Sequence, residues 1–246
     1  NEINLEEFGN IISNDMALAL GIIKAVNSSF FGLEYEVRSI NHAISMLGLE
    51  NIENLVMGFS LERSLQHADS FLLNQFWETN RIKALIASSL ATSYTQVSSD
   101  LAYTFCLICD CGVPAIMRKE ENYADFYSGI ADRVSEDHIE EEEEIYMYNH
   151  ASVGAYLLKE WLVPEDLVLA TKYHHTTDIA RLKVSHEVKI LIALQHLASD
   201  IFARFYHNDS YYCWSKNMSH GLDLLSITDK GLAGIEKNFK LLLEEL

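Results

Sequence analysis

Ser39-Ile40-Asn41-His42-Ala43-Ile44-Ser45-Met46-Leu47-Gly48 carries the marks of one short helix from start to stop. Ser39 is a side-chain cap, Ile40, Ala43, Ile44 and Leu47 fall at i, i+3, i+4 and i+7 on one face, and Gly48 closes the segment. An apolar period near 3.6, without sustained alternation at two, predicts helix over strand. The same grammar recurs on both sides. Upstream, Asn4-Leu5-Glu6-Glu7 reads as a capping-box variant opening a helix on Leu5, Phe8, Ile11 and Ile12. Met16, Ala19, Leu20, Ile23 and Val26 make the next, stopped by Asn27-Ser28-Ser29 and Gly32. Downstream, Asn51 opens a helix through Ile52, Leu55, Val56 and Phe59, and a longer one runs through Phe76, Trp77 and Ala84 toward Ala91. Leu101 to Ile108 is predicted to be the most buried element.

Asn149 caps a helix bearing Val153, Leu157 and Trp161. Pro164 suits the first turn of another, with Glu165 and Asp166 near its positive end, running to Tyr173-His174-His175. Ser185 begins a long helix through Val188, Leu191, Ala198, Phe202 and Phe205, and the tail from Thr228 to Leu246 is amphipathic on Leu232, Ile235, Phe239 and Leu242. The expected fold is therefore all-α, a multi-helix bundle. The acidic run between Glu136 and Glu144, with five consecutive glutamates, reads as a solvated face or loop.

A chain of 246 residues, 49% hydrophobic and 22% charged, can bury a sizeable core as one large domain or two closely packed lobes. Two prolines in that length favour long helices. The polar stretch Gln66 to Ser70 is the expected hinge between a smaller lobe over 1–68 and a larger one over 69–246. Thirty-six acidic against 18 basic residues give a formal charge of −18. That field repels phosphate backbones and anionic lipid, so neither nucleic acid nor membrane is expected as a partner. The longest uncharged run, Ala84 to Ser99, is broken by Ser, Thr, Tyr and Gln. No signal peptide follows Asn1, and the missing initial Met fits a piece of a longer protein. Cys106, Cys109, Cys111 and Cys213 make no disulfide framework and point to buried thiols in a reducing cytoplasm.

Seven residues could carry chemistry: Cys109, Asp110, Cys111, His150, His174, His175 and His196. They are distant in sequence but fall near helix ends or apolar faces, where helical bundles build metal sites. Zinc or iron accepts thiolate, imidazole and carboxylate. The competing reading is of core histidines that hydrogen-bond neighbours and hold helices in register. Cys109-Asp110-Cys111 is CxC and not CxxC, so no thioredoxin-like dithiol is indicated. GxSxG, HExxH and a phosphate-cradling Gly-rich loop are all absent from the sequence. Phe30, Phe31, Tyr35 and the stretch Tyr211-Tyr212-Cys213-Trp214 are candidate contact surfaces, with burial as their alternative.

Ile12-Ser13-Asn14-Asp15, Val26-Asn27-Ser28-Ser29-Phe30-Phe31-Gly32, Ser39-Ile40-Asn41-His42-Ala43-Ile44 and Leu47-Gly48 resemble the front half of the HDOD family of bacterial signalling domains. Asn149 to Leu158, Trp161, Leu162, Pro164 and His174-His175 are similar to that family's second signature. The resemblance extends from about Leu5 to the last helix and implies a single HDOD-like unit over 1–246, with the fold of the related HD metal phosphohydrolases. Those relatives bind metal through an early His, a His-Asp pair, further His residues and a late Asp. Here the pair and its following Gly and Lys read Cys109-Asp110-Cys111-Gly112-Val113. Glu78, Thr79, Asn80 and Arg81 stand where the early His belongs, and Gln195 and His196 stand around the late Asp. Asp110, His150 and His174 remain. The resemblance implies a degenerate metal site on Cys109, Asp110, His150, His174 and His175, in which Cys109 can replace an imidazole. No cofactor is required; zinc, iron or manganese is the class such a site would take. The implied role is a non-enzymatic signalling output or adaptor module working through protein partners. A divergent metal-dependent phosphohydrolase or phosphodiesterase, or a nucleotide sensor using the former active-site pocket, is the alternative.

Overall fold

The computed structural model describes residues 9, 12–27, 35–48, 52, 71–130 and 138–243. Among the described residues there is no strand. The helices are α1 (Met16–Asn27), α2 (Phe71–Tyr94), α3 (Ser99–Ile108), α4 (Gly112–Lys119), α5 (Tyr123–Ile130), α6 (Ile139–Tyr146), α7 (His150–Glu160), α8 (Glu165–Tyr173), α9 (His186–Tyr206), α10 (Tyr212–Leu224) and α11 (Asp229–Leu243). Residues 40–48 are helical as well. The capping box at Asn4, the helix opened by Asn51, the pair Phe30 and Phe31, and the hinge at Gln66 to Ser70 lie outside the described residues.

Local chemistry sets the helix starts where the sequence places them. Ser39 Oγ accepts from His42 N at 3.2 Å, Ser185 Oγ from Val188 N at 3.2 Å, and Thr228 Oγ1 from Gly231 N at 3.2 Å. Asn149 closes a full capping box with Ser152 at the head of α7. Gly48 takes φ +73°, the left-handed geometry that a helix stop favours in glycine.

The bundle is organised around α9. Every residue from Ile190 to Ala203 on it is buried, which makes α9 more enclosed than α3, the element expected to be deepest. A helix buried all round packs neighbours on every face, and α9 meets α2, α3, α8, α10 and α11. Helix α3 pairs with α2 and also joins the N-terminal residues to the rest. Tyr103 Oη donates to Ser13 O at 2.6 Å, and Thr104 Oγ1 accepts from Ile40 N at 3.2 Å. Arg38 adds ion pairs to Glu187 at 2.9 Å and Asp166 at 3.5 Å, at the starts of α9 and α8. Ser99–Lys119 is long and apolar enough to cross a membrane by length and composition, but the turn at 109–111 splits it and two thirds of it is buried among other helices.

Helix α4 crosses α7 at glycine. A Cβ on Gly112 would stand 2.0 Å from the His150 carbonyl oxygen and 2.8 Å from Gly154 N. Only a hydrogen fits there, and the close crossing places Asp110 beside the first turn of α7. Gly112→Ala is expected to lower stability by about 1–3 kcal/mol, because the backbones must separate. Urea denaturation measures it. An unchanged midpoint would mean the crossing tolerates a methyl group.

Candidate metal centre

Asp110, His150, His174 and His175 converge from three places in the chain. Asp110 lies in the turn between α3 and α4, His150 is the first residue of α7, and His174 and His175 follow α8. One ligand atom from each lies within 4.8 Å of every other. His174 is fully buried and His150 nearly so. His174 Nε2 is 3.0 Å from Asp110 Oδ1, and His150 Nε2 is 3.6 Å from the same oxygen and 2.9 Å from His175 Nε2.

The outer nitrogen of each ring is occupied. His150 Nδ1 donates to the Glu142 carboxylate, 2.9 Å from both oxygens. His174 Nδ1 donates to the Thr171 carbonyl oxygen at 2.6 Å, and His175 Nδ1 faces Tyr211 Oη at 3.3 Å. Oxygen partners on all three Nδ1 atoms leave the three Nε2 atoms turned inward on Asp110. Metal-binding histidines are oriented in this way, by an oxygen behind the ring.

Glu142 was not legible as part of a site. The run Glu140–Glu144 was expected to be solvated, and four of its five members face outward, but Glu142 is 1% exposed. It shares a helix face with Ile139 and Tyr146, at i, i+3 and i+7, and that spacing is the signal that separates it from its neighbours. Its Oε2 accepts the His150 backbone N–H at 2.7 Å, capping α7, and its Oε1 accepts the Tyr123 hydroxyl at 2.6 Å.

Burial works to lower the His150 imidazole, but the Glu142 charge and contacts to Asp110 outweigh it and push the ring up to about 10. Burial likewise works to raise Glu142 and Asp110. The charge of His150 and its hydrogen bonds hold Glu142 below its ordinary value, and contacts to His150 and His174 hold Asp110 well below the carboxylate range. Burial, with the neighbouring His174 and His150, drives His175 well below an ordinary histidine. Without an ion, His150 therefore carries the proton between the two facing nitrogens, and neutral His175 accepts at Nε2 while donating from Nδ1 to Tyr211. The tautomers follow from this network.

Three residues grouped with the site by sequence stand outside it. The Cys109 thiol donates to the Cys106 carbonyl at 3.6 Å, and burial, then the Asp110 charge, raises it well above a normal thiol. With its thiol turned to that carbonyl, Cys109 is not among the residues whose ligand atoms converge, which are Asp110, His150, His174 and His175. Cys111 Sγ faces Gly154 O at 3.9 Å, and burial lifts it to about 12. His196 Nε2 donates to the His174 carbonyl at 2.6 Å, which steadies the turn, and burial lowers that ring to about 3. At the early-His position, Asn80 is buried and its amide donates to Phe76 O at 3.2 Å. The stretch read as a contact surface is partly interior: Cys213 and Trp214 are buried, whereas Tyr35 is exposed.

The donor set fits a divalent ion of the zinc, iron or manganese class, since three imidazoles and one carboxylate combine the ligand types those metals take. Asp110, His150, His174 and His175 are the residues that would hold it. The described residues form an all-helical bundle with a His/Asp group gathered at its helix ends. The chain belongs to the HDOD domain family, whose pattern it matches over residues 1–177. It is 25% identical over 185 residues to an uncharacterized protein of Treponema pallidum (strain Nichols), a match covering 71% of this chain and 34% of that one. The chain thus spans about a third of the length of that relative. Its fold is similar to the MmoQ response regulator from Methylococcus capsulatus (TM-score 0.74, 19% identity, 96% of this chain and 90% of the other). It is also similar to a Shewanella amazonensis protein whose name proposes a phosphohydrolase (TM-score 0.51, 19% identity, 95% and 87%).

Proposed function

We propose that this chain is a non-hydrolytic signalling domain that works through protein partners and carries a divalent transition-metal ion on Asp110, His150, His174 and His175 as a structural or regulatory centre. The observation that carries the metal half is the oxygen behind each of the three rings, which directs every Nε2 at Asp110. A bound ion would supply positive charge that neutralises Asp110 and ties together the ends of α3, α7 and α8. Family membership and likeness to a response regulator support the signalling half. Buried, apolar Val113 in place of a phosphate-contacting Lys, and a formal charge of −18, argue against phosphate esters as substrates. A second reading, a divergent phosphohydrolase, is favoured by the imidazole–carboxylate donor set and by the name of the Shewanella protein.

Elemental analysis of chain purified with zinc, iron or manganese, paired with a phosphodiesterase assay, separates the two. The proposal expects about one ion per chain, lost in His174→Ala, and no turnover above that variant. Turnover that disappears in His174→Ala would establish the phosphohydrolase instead. Failure to retain any of the three metals would remove the centre from the proposal.

A further inference from the structure

We propose that Tyr211 is a positioning residue that fixes His175 for the bound ion and couples the start of α10 to the state of the centre. The inference rests on the reading of Asp110, His150, His174 and His175 as metal-binding, and extends it to a segment outside the 1–177 family match. His175 sits in the turn after α8, so no helix of its own sets its direction. A later part of the chain does. Tyr211 Oη lies 3.3 Å from His175 Nδ1, and the Cys213 thiol donates to the His175 carbonyl oxygen at 3.3 Å. Asn217 reaches the same turn. Its amide donates to Thr176 O at 2.8 Å, and its Oδ1 accepts from Ile179 N at 2.9 Å.

Tyr211 is itself held in place. Its backbone N–H donates to Asp200 Oδ1 at 3.0 Å, and the other oxygen of that buried carboxylate accepts from Arg204 Nε at 2.7 Å. Its ring packs near His196 and His175, with centroids 5.8 and 6.4 Å apart. The aromatic body is fixed by packing and the backbone by Asp200, so the phenol oxygen is presented to one ring nitrogen.

An imidazole offers only one nitrogen to an ion when the other keeps its proton, and that proton needs an acceptor. A carboxylate serves His150 and a carbonyl serves His174. For His175 the acceptor is the Tyr211 oxygen. Removing it frees His175 to change tautomer or turn away, a loss that for such outer partners is roughly ten- to hundredfold in metal affinity. Linkage makes the coupling reciprocal: an ion that holds His175 also holds Tyr211 and the 207–211 turn.

The test uses the full chain. Zinc affinity is measured by competition against a chromophoric chelator, and the visible absorption of the cobalt-loaded protein reports the ligand arrangement. Tyr211→Phe keeps the ring and removes one oxygen; it is expected to bind zinc roughly ten- to hundredfold more weakly and to change the cobalt spectrum. In a His175→Ala background the same substitution is expected to add no further loss. Hydrogen exchange on the unaltered chain supplies a measurement without substitution, with amides of 207–214 slowing on zinc addition. Equal affinity and an unchanged spectrum in Tyr211→Phe overturn the assignment while leaving the centre intact. Additive loss in the His175→Ala background, or exchange indifferent to zinc, overturns it too. If the unaltered chain binds neither zinc nor cobalt, the centre and the role of Tyr211 fall together.

Discussion

Glu142→Ala is expected to lower the stability of the metal-free chain by roughly 3–5 kcal/mol, the scale for removing one partner of a buried ion pair. The carboxylate makes three contacts to His150, two to Nδ1 and one to its backbone N–H, and accepts the Tyr123 hydroxyl. Its loss leaves a buried imidazolium to discharge, the His150 backbone N–H without its acceptor and an unpaired buried phenol. Glu140 and Glu144, on the same helix but exposed, are the controls, and alanine at either should stay within about 0.5 kcal/mol. Urea denaturation at pH 6.5 with chelator present measures all three. A Glu142→Ala loss no larger than that of the controls would show that His150 does not depend on the carboxylate. The same substitution should weaken metal binding, since His150 Nε2 is aimed through its Nδ1 contact.

The stability of the metal-free chain should peak near pH 6.5, because the groups of the cluster pull in opposite directions. His150 is raised to about 10, so its contribution is complete below the unfolded value near 6.5 and is lost as pH rises toward 10. His175 and His196 are lowered and stay neutral in the fold, so below pH 6.5 the unfolded chain takes up protons that they refuse. Glu142 and Asp110, also lowered, contribute fully above the ordinary carboxylate range and lose that contribution as pH falls through it. One proton released only on unfolding corresponds to about 1.4 kcal/mol per pH unit, so roughly 2–3 kcal/mol should disappear between pH 6.5 and 8.5. Buried thiols add to the decline toward the upper end of this range, where unfolded cysteines begin to ionise. Denaturation midpoints across pH 5 to 8.5 trace the curve. A flat profile from 6.5 to 8.5 contradicts the charged state of His150, and Glu142→Ala should flatten that limb.

Much of the helical framework was legible because its signals are local. Ser39, Asn149, Ser185 and Thr228 cap helices wherever they are followed by the right apolar spacing, and the structure shows each oxygen bound to a backbone N–H. Resemblance to the HDOD family pointed to Asp110, His150 and His174, although it also counted Cys109 among the ligands. The turn at 109–111 exposes one residue to the cluster and buries its neighbours elsewhere. Which one faces inward depends on how α3 enters and α4 leaves, and the Gly112–Gly154 approach sets that geometry. Similarly, Tyr211 looked like surface because its partners, His175 and Asp200, lie 36 and 11 residues away.

By itself the sequence determined that the chain is helical, where its main helices begin and that it carries a formal charge of −18, because periodicity, caps and net charge act over a few residues or over the whole composition. Tertiary structure alone decided that one glutamate of five stands behind His150, that a phenol from a later turn stands behind His175, and that Cys109 stands apart. Those outcomes depend on the direction of side chains at helix ends, and packing between distant segments fixes that direction.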